Sequence, residues 1–312
     1  MKWKKLGYSL ELVKHKKEWQ VSHAMMPVVL EKQDTLRVYY TTRHVDGQSR
    51  ITYYDVDKIN PIIILYIHDK PLLEVGEIGT FDDCGTVATF IIRDEEKIYL
   101  YYNGYNVRNT VPWSNSIGVA VSHDDGDTFT KVFNGPIMDR YKHDAYFTIT
   151  PWIIKNNGTW HMWYTSGTGW IKVNERKEPL YDLKYAKSSN GIDWAREFVV
   201  AVPQSNNEES IARATILQNG DKLSMWFIYR GSRDFRDGND SYRIGFAEGN
   251  LNEPDKWTRN DAKSGIAPGP EEYDNSMQSY PFVIKLINRT FMFYNGNGFG
   301  ANGILCAELT EQ

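Results

Sequence analysis

Three carboxylates, Asp83, Asp144 and Glu209, each stand a few residues ahead of a short apolar run. Carboxylates brought close together raise one another's pKa, which keeps one of them protonated near neutral pH as a general acid. Cleavage of a glycosidic bond needs such a pair, one acid at the leaving oxygen and one base or nucleophile opposite. Side chains suited to hold hydroxyls or an anionic group occur in comparable places: His23, Arg43, Lys184, Arg213, Arg243, Gln278, Tyr280 and Asn295. His23 is a donor, a base or a metal ligand by chemistry. Its spacing to His143 and the acids matches no metal motif, so neither a metal nor another cofactor is expected. Trp113, in Val111-Pro112-Trp113-Ser114, and Trp170, in Gly167-Thr168-Gly169-Trp170, fall outside the strand pattern and read as loop rings free to stack on a ligand.

These residues are far apart in sequence, so an internal repeat must bring them together. Five apolar strands recur: Met26–Leu30, Val87–Ile91, Thr150–Ile154, Arg213–Leu217 and Tyr280–Ile284. Aligned on Pro27, Ala88, Pro151, Ala214 and Pro281, they are separated by 61, 63, 63 and 67 residues. Each is followed by an aromatic-rich strand, among them Val38-Tyr39-Tyr40, Tyr99-Leu100-Tyr101-Tyr102 and Trp160-His161-Met162-Trp163-Tyr164. Turn residues such as Asn156-Asn157-Gly158 and Asn219-Gly220-Asp221 separate first and second strands as hairpins. Third strands read Ile117–Val121, Leu183–Ala186 and Ile244–Ala247. Five meanders of this length predict an all-β, five-bladed β-propeller with about four antiparallel strands per blade, filling residues 1–312 as one domain. Trp3 to Leu6 is placed to complete the last blade. Residues just before each first strand, and those leaving each second strand, then converge on one mouth of the channel. The second group brings Arg43, Asn103, Arg230, Arg233, Asn295 and Asn297.

Composition narrows the function classes. The chain has 312 residues and a formal net charge of -4, with both signs mixed along it, which argues against a nucleic-acid surface. Aromatic residues make up 14%, with 10 Trp and 20 Tyr, which suits a β-rich core and also a sugar site. Cys84 and Cys306 form no CxxC pattern, so neither a disulfide framework nor a cysteine zinc site is expected. The apolar run from Pro61 to Ile67 is too short to span a membrane. The N-terminus has no signal-peptide pattern, and a cytoplasmic location is expected. The sequence sets no oligomeric state.

Ser122-His123-Asp124-Asp125-Gly126-Asp127-Thr128-Phe129 matches the S-x-D-x-G-x-T-[FW] Asp-box of sialidase-type propellers, whose acids shape a turn rather than a site. Leu36–Arg43, Gly79–Gly85, Glu209–Arg213, Tyr242–Gly245 and Tyr294–Gly300 carry a wider resemblance that runs from the first blade to the fifth. Through them the chain resembles the five-bladed propellers of glycoside hydrolase families 32, 43 and 130. It is closer to a glycosidase-like family encoded with bacterial surface-polysaccharide genes. The resemblance implies a carbohydrate-active enzyme working on a glycosidic or sugar-phosphate bond, as a hydrolase, phosphorylase or transferase. Glu209 would be the general acid, and Asp83 or Asp144 would activate water or another acceptor. A carbohydrate or sugar phosphate would be the ligand. Families 43 and 32 carry an Asp just before the Pro of the first blade, where this chain has Met26. That departure keeps two alternatives open: a non-catalytic sugar-binding propeller, and a propeller recruited to another reaction on a small anionic metabolite.

Overall fold

The computed structural model describes residues 1–236 and 238–311. Strand β1 (Lys2–Glu11) comes first in the chain but belongs to the last blade. Blade one is β2 (Gln20–Glu31), β3 (Thr35–His44), β4 (Ser49–Asp57) and β5 (Ile64–Ile67). Blade two is β6 (Thr86–Asp94), β7 (Lys97–Val107), β8 (Trp113–Ser122) and β9 (Thr130–Lys131). Blade three is β10 (Thr148–Asn156), β11 (Thr159–Val173), β12 (Arg176–Ser188) and β13 (Ala195–Val200). Blade four is β14 (Ser210–Asn219), β15 (Lys222–Arg230), β16 (Arg243–Asn250) and β17 (Glu253–Arg259). Blade five is β18 (Ser279–Lys285), β19 (Thr290–Asn295), β20 (Gly303–Glu311) and, outermost, β1. The five four-stranded antiparallel sheets form a five-bladed propeller.

Second strands are buried on both faces, which explains why they read as runs of aromatics rather than as alternation. Tyr39, Tyr40, Tyr101, Tyr102, Trp163, Tyr164, Trp226, Phe227 and Tyr294 are all fully buried between neighbouring blades. The Asp-box turn is structural. Asp124 accepts hydrogen bonds from Ser122 Oγ, Thr128 N and Thr128 Oγ1. Burial alone would raise its pKa, but these bonds outweigh burial and hold it at about 2. Phe129 then packs edge-on against Tyr39 of blade one, with ring centroids 5.8 Å apart.

The placement of the two tryptophans differs from the sequence reading. Trp113 opens β8, and Trp170 lies within β11. β11 and β12 continue past the blade as a long hairpin, with a register shift between Gly167 and Gly169. The two rings meet edge to face, 4.9 Å apart.

Each innermost strand carries a β-bulge at the same place. The register of the first pair of strands slips between Met25 and Val28, Ala88 and Phe90, Ile149 and Trp152, Ala212 and Thr215, and Ser279 and Phe282. A bulge re-aims the side chain beside it. Four of the residues at the bulge have left-handed backbone: Met26 (φ 57°), Thr150 (φ 46°), Arg213 (φ 54°) and Tyr280 (φ 52°). Non-glycine residues held there cost on the order of 1–3 kcal/mol each.

A hydrogen bond from one blade to the next holds each bulge. Met26 N donates to Asn295 Oδ1 at 2.9 Å, Ala88 N to Thr41 Oγ1 at 3.0 Å, and Thr150 N to Asn103 Oδ1 at 3.0 Å. Arg213 N donates to Thr165 Oγ1 at 3.2 Å and Val283 N to Thr215 Oγ1 at 2.9 Å.

Candidate functional site

Four bulged residues, Met26, Thr150, Arg213 and Tyr280, and Val87, just ahead of the blade-two bulge, all line one central cavity of about 470 Å³ at the mouth of the channel. Its wall is completed by His23, Arg43, Asn103, Tyr105 and Trp113 from blades one and two, and by Glu178, Tyr181, Arg230 and Tyr242 from blades three and four. Aromatic rings and cations both line it. Five cationic side chains, Arg43, Lys177, Arg213, Arg230 and Arg236, face one carboxylate, Glu178, among the described lining residues.

Two of these cations are buried without a carboxylate partner among the described residues. Arg213 is 2% exposed and crosses the channel floor. Its guanidinium donates to Thr89 O and to Pro27 O, both at 2.8 Å. Burial pulls its pKa down to about 9, so it remains a cation at neutral pH. Arg230 is 1% exposed. Its Nε donates to the hydroxyls of Tyr181 and Tyr242 at 2.9 and 3.1 Å, and its other nitrogens donate to Gly231 O and Pro179 O. The Phe235 ring lies 3.7 Å from its guanidinium carbon. Glu178, 3% exposed, is held at 2.9 Å by both Nε and Nη2 of Arg236. His23 hydrogen-bonds Ser22 Oγ at 2.8 Å through Nδ1. Burial, and then the charge of Arg43, lower its pKa, so the ring is neutral at pH 7.

None of Asp83, Asp144 and Glu209 lines this cavity. Asp144 is wholly buried and paired with Lys184 and with Arg196, both at 2.9 Å, and it accepts from Tyr164 Oη and Ser166 Oγ. Glu209 is paired with Arg259 at 2.6 Å and accepts from Ser205 N. Asp83 accepts from Asn106, Gly79 N and Cys84. Burial would raise the pKa of Asp83 and of Asp144, but these hydrogen bonds outweigh burial and hold both below the usual carboxylate value. That direction is opposite to what a general acid needs.

Asp144 and Glu209, but not Asp83, belong to a second repeated device, which in blade two uses the neighbouring Asp82. Asp82, Asp144 and Asp274 each accept from the tyrosine of their own second strand, Tyr102, Tyr164 and Tyr294. Each is also clamped by a cation on or beside its own blade's fourth strand: Lys131 at 2.6 Å, Arg196 at 2.9 Å and Lys5 at 2.7 Å. In blade four Phe227 replaces the tyrosine, and Glu209 with Arg259 makes the clamp.

The proposed ligand-holding residues divide in the same way. His23, Arg43, Trp113, Arg213 and Tyr280 line the cavity. Lys184 is spent on Asp144. Gln278 donates to Asp274 and Ala267 O. Asn295 ties Met26 N, Ala24 O and Gly303 O. Arg243 donates to three backbone carbonyls, and Trp170 supports Trp113 from behind. Glu178, Tyr181 and Tyr242 were missed. The apolar run Pro179-Leu180-Tyr181, just ahead of the third strand Leu183–Ala186, is the available signal that this strand extends further toward the mouth. No group of acids, histidines and cysteines among the described residues is arranged to hold a metal.

The five-bladed propeller fold is shared with solved structures of glycoside hydrolases. The structure of BT0996 in an RGII complex superposes with a TM-score of 0.73 at 16% identity, covering 99% of this protein and 92% of that one. A thermostable family-43 glycoside hydrolase gives 0.68 at 14% identity, covering 94% and 91%. A structure from the GH130 family of mannoside phosphorylases gives 0.63 at 13% identity, covering 97% and 88%. No protein-family model matches the chain. Over 313 residues it is 33% identical to Uncharacterized protein MT1551 and Uncharacterized protein Rv1502 from two strains of Mycobacterium tuberculosis, covering 99% of this chain and of each relative. The chain belongs to the family of these two mycobacterial proteins.

Proposed function

We propose that the protein is carbohydrate-active and that its central cavity takes an anionic sugar, one bearing a phosphate or a carboxylate. Arg213 carries the reading. A buried cation without a counter-charge is expensive, and a ligand anion supplies the missing partner through charge-assisted hydrogen bonds. His23, Arg43 and Tyr280 would hold further oxygens, and Trp113 offers a flat face to the sugar ring. Asp83, Asp144 and Glu209 would serve the architecture of the mouth rather than bond cleavage. A role in bacterial surface-polysaccharide metabolism fits this ligand and rests on the sequence resemblance alone. No helix among the described residues is long and apolar enough to cross a membrane.

The test is calorimetric titration with glucose 6-phosphate, galacturonate and glucose. The two acidic sugars bind and glucose does not. Binding falls by about a hundredfold in Arg213→Gln, since truncating one side of a buried charged contact costs on the order of 2–5 kcal/mol. Equal affinity for glucose overturns the reading.

The single carboxylate in the cavity wall favours a second reading: sugar binding without two-carboxylate hydrolysis. Release of product from acidic-sugar glycosides, lost in Glu178→Gln with binding retained, would overturn that reading and make Glu178 the acid.

A further inference from the structure

We propose that the central cavity is the inner end of a longer groove, and that the groove takes an acidic oligosaccharide charged on at least two of its units. This rests on the anionic-sugar reading above and adds a length and a second anion site to it.

The cavity does not end at the channel. A depression of about 580 Å³ lies between the segment Arg108 to Pro112, before β8, and the tip of the β11–β12 hairpin. It shares Pro112, Lys177, Glu178 and Arg236 with the cavity, so the two adjoin. The Glu178–Arg236 pair stands at the junction. Each part has the size of a pocket for a drug-sized ligand, ~300–1,000 Å³, so together they exceed one sugar unit.

The two parts hold a ligand differently. The inner part has aromatic faces and buried guanidinium groups. The outer part has no aromatic ring among its described lining residues, which include Arg108, Arg176, Lys177 and Arg236 against Glu175 and Glu178. Arg236 is committed to Glu178. Arg108, Arg176 and Lys177 make no ion pair among the described residues. The outer part therefore recognises charge, and the inner part recognises a charged ring. Three such cations suit the spaced carboxylates of an acidic glycan. They are too few for the continuous phosphates of a nucleic acid, and the chain as a whole carries -4.

Exposed cations each contribute a fraction of a kcal/mol, so three together give about tenfold in affinity, and salt screens the gain. The experiment titrates the full chain at low ionic strength with galacturonate, its linear trimer and hexamer, and maltohexaose as neutral control. The hexamer is expected to bind about tenfold more tightly than galacturonate. That gain disappears in about 0.5 M NaCl and falls to about twofold in the double variant Arg108→Gln/Arg176→Gln, which keeps Lys177, while galacturonate binding stays unchanged in both. A hexamer no tighter than the best-binding acidic monosaccharide overturns the groove and leaves the inner site standing. A gain undiminished in the double variant also overturns it. If no acidic sugar binds, or if Arg213→Gln changes nothing, the functional reading falls and the groove falls with it. A hexanucleotide that binds as tightly as the hexauronide removes the assignment to carbohydrate.

Discussion

Two rings of side chains surround the mouth, one just ahead of the inner strands and one on them, and they are built on opposite rules. The outer ring repeats. Four blades of five place a carboxylate there, Asp82, Asp144, Glu209 and Asp274, and each is clamped by a cation on or beside its own fourth strand. The inner ring, at or next to the bulges, is Met26, Val87, Thr150, Arg213 and Tyr280, and no two are alike. A requirement of the fold falls equally on every blade, so what repeats is structural. A ligand is not five-fold symmetric, so what differs from blade to blade is where a ligand can be read.

The largest effect expected from breaking this comparison lies in the outer ring. Asp144→Ala leaves Lys184 and Arg196 buried without their counter-charge and costs about 3–5 kcal/mol, read as a fall in the urea midpoint. If Asp144→Ala instead abolishes sugar binding at unchanged stability, the division between the rings is wrong. Arg213→Gln should do the converse. It removes most of the affinity for acidic sugars and lowers the urea midpoint by less than Asp144→Ala, because the residue has no carboxylate to abandon. Trp113→Ala comes next. Losing one aromatic contact costs about 0.5–1.5 kcal/mol of sugar affinity, and charged and neutral ligands lose alike.

The smallest effect belongs to His23. Its pKa is lowered in the free protein, so it is neutral at pH 7, and a bound anion favours its charged form. Binding therefore takes up a proton. Affinity for galacturonate, whose carboxylate stays ionised, rises by about threefold as the pH falls toward 5.5, and this rise is lost in His23→Gln.

The propeller was legible because the first strands recur with nearly fixed spacing and bury their apolar residues in every blade. The place of the mouth was legible too, since Arg213 and Tyr280 precede their strands in register. Which of the polar residues near it face the channel was not. Asp144 lies ahead of its first strand and Tyr280 at the start of one, where the bulge turns it inward. Pro27, Pro151 and Pro281 mark three of the five bulges, but a proline does not say which neighbouring side chain turns toward the channel. Asn295 shows the same limit. It reads as a ligand donor beside the mouth, but its amide is consumed by the backbone of the neighbouring blade. The Arg236–Glu178 pair joins residues 58 apart across two blades and was invisible to any local pattern.

The position of β1 has a consequence for how the chain reaches this state. The first strand of the propeller pairs with β20, its last described strand, with Lys2 opposite Glu311. Blade five therefore waits for strands from both ends of the propeller, and the loop closed spans nearly all of it, which makes this pairing slow. Trp3 is packed 5.6 Å from Trp226 of blade four, and its indole nitrogen donates to Ser264 O. Lys5 is the cation that neutralises Asp274. A growing chain thus carries its closing strand unpaired until β20 has emerged, and a substitution that weakens β1 would act on the step that closes the ring.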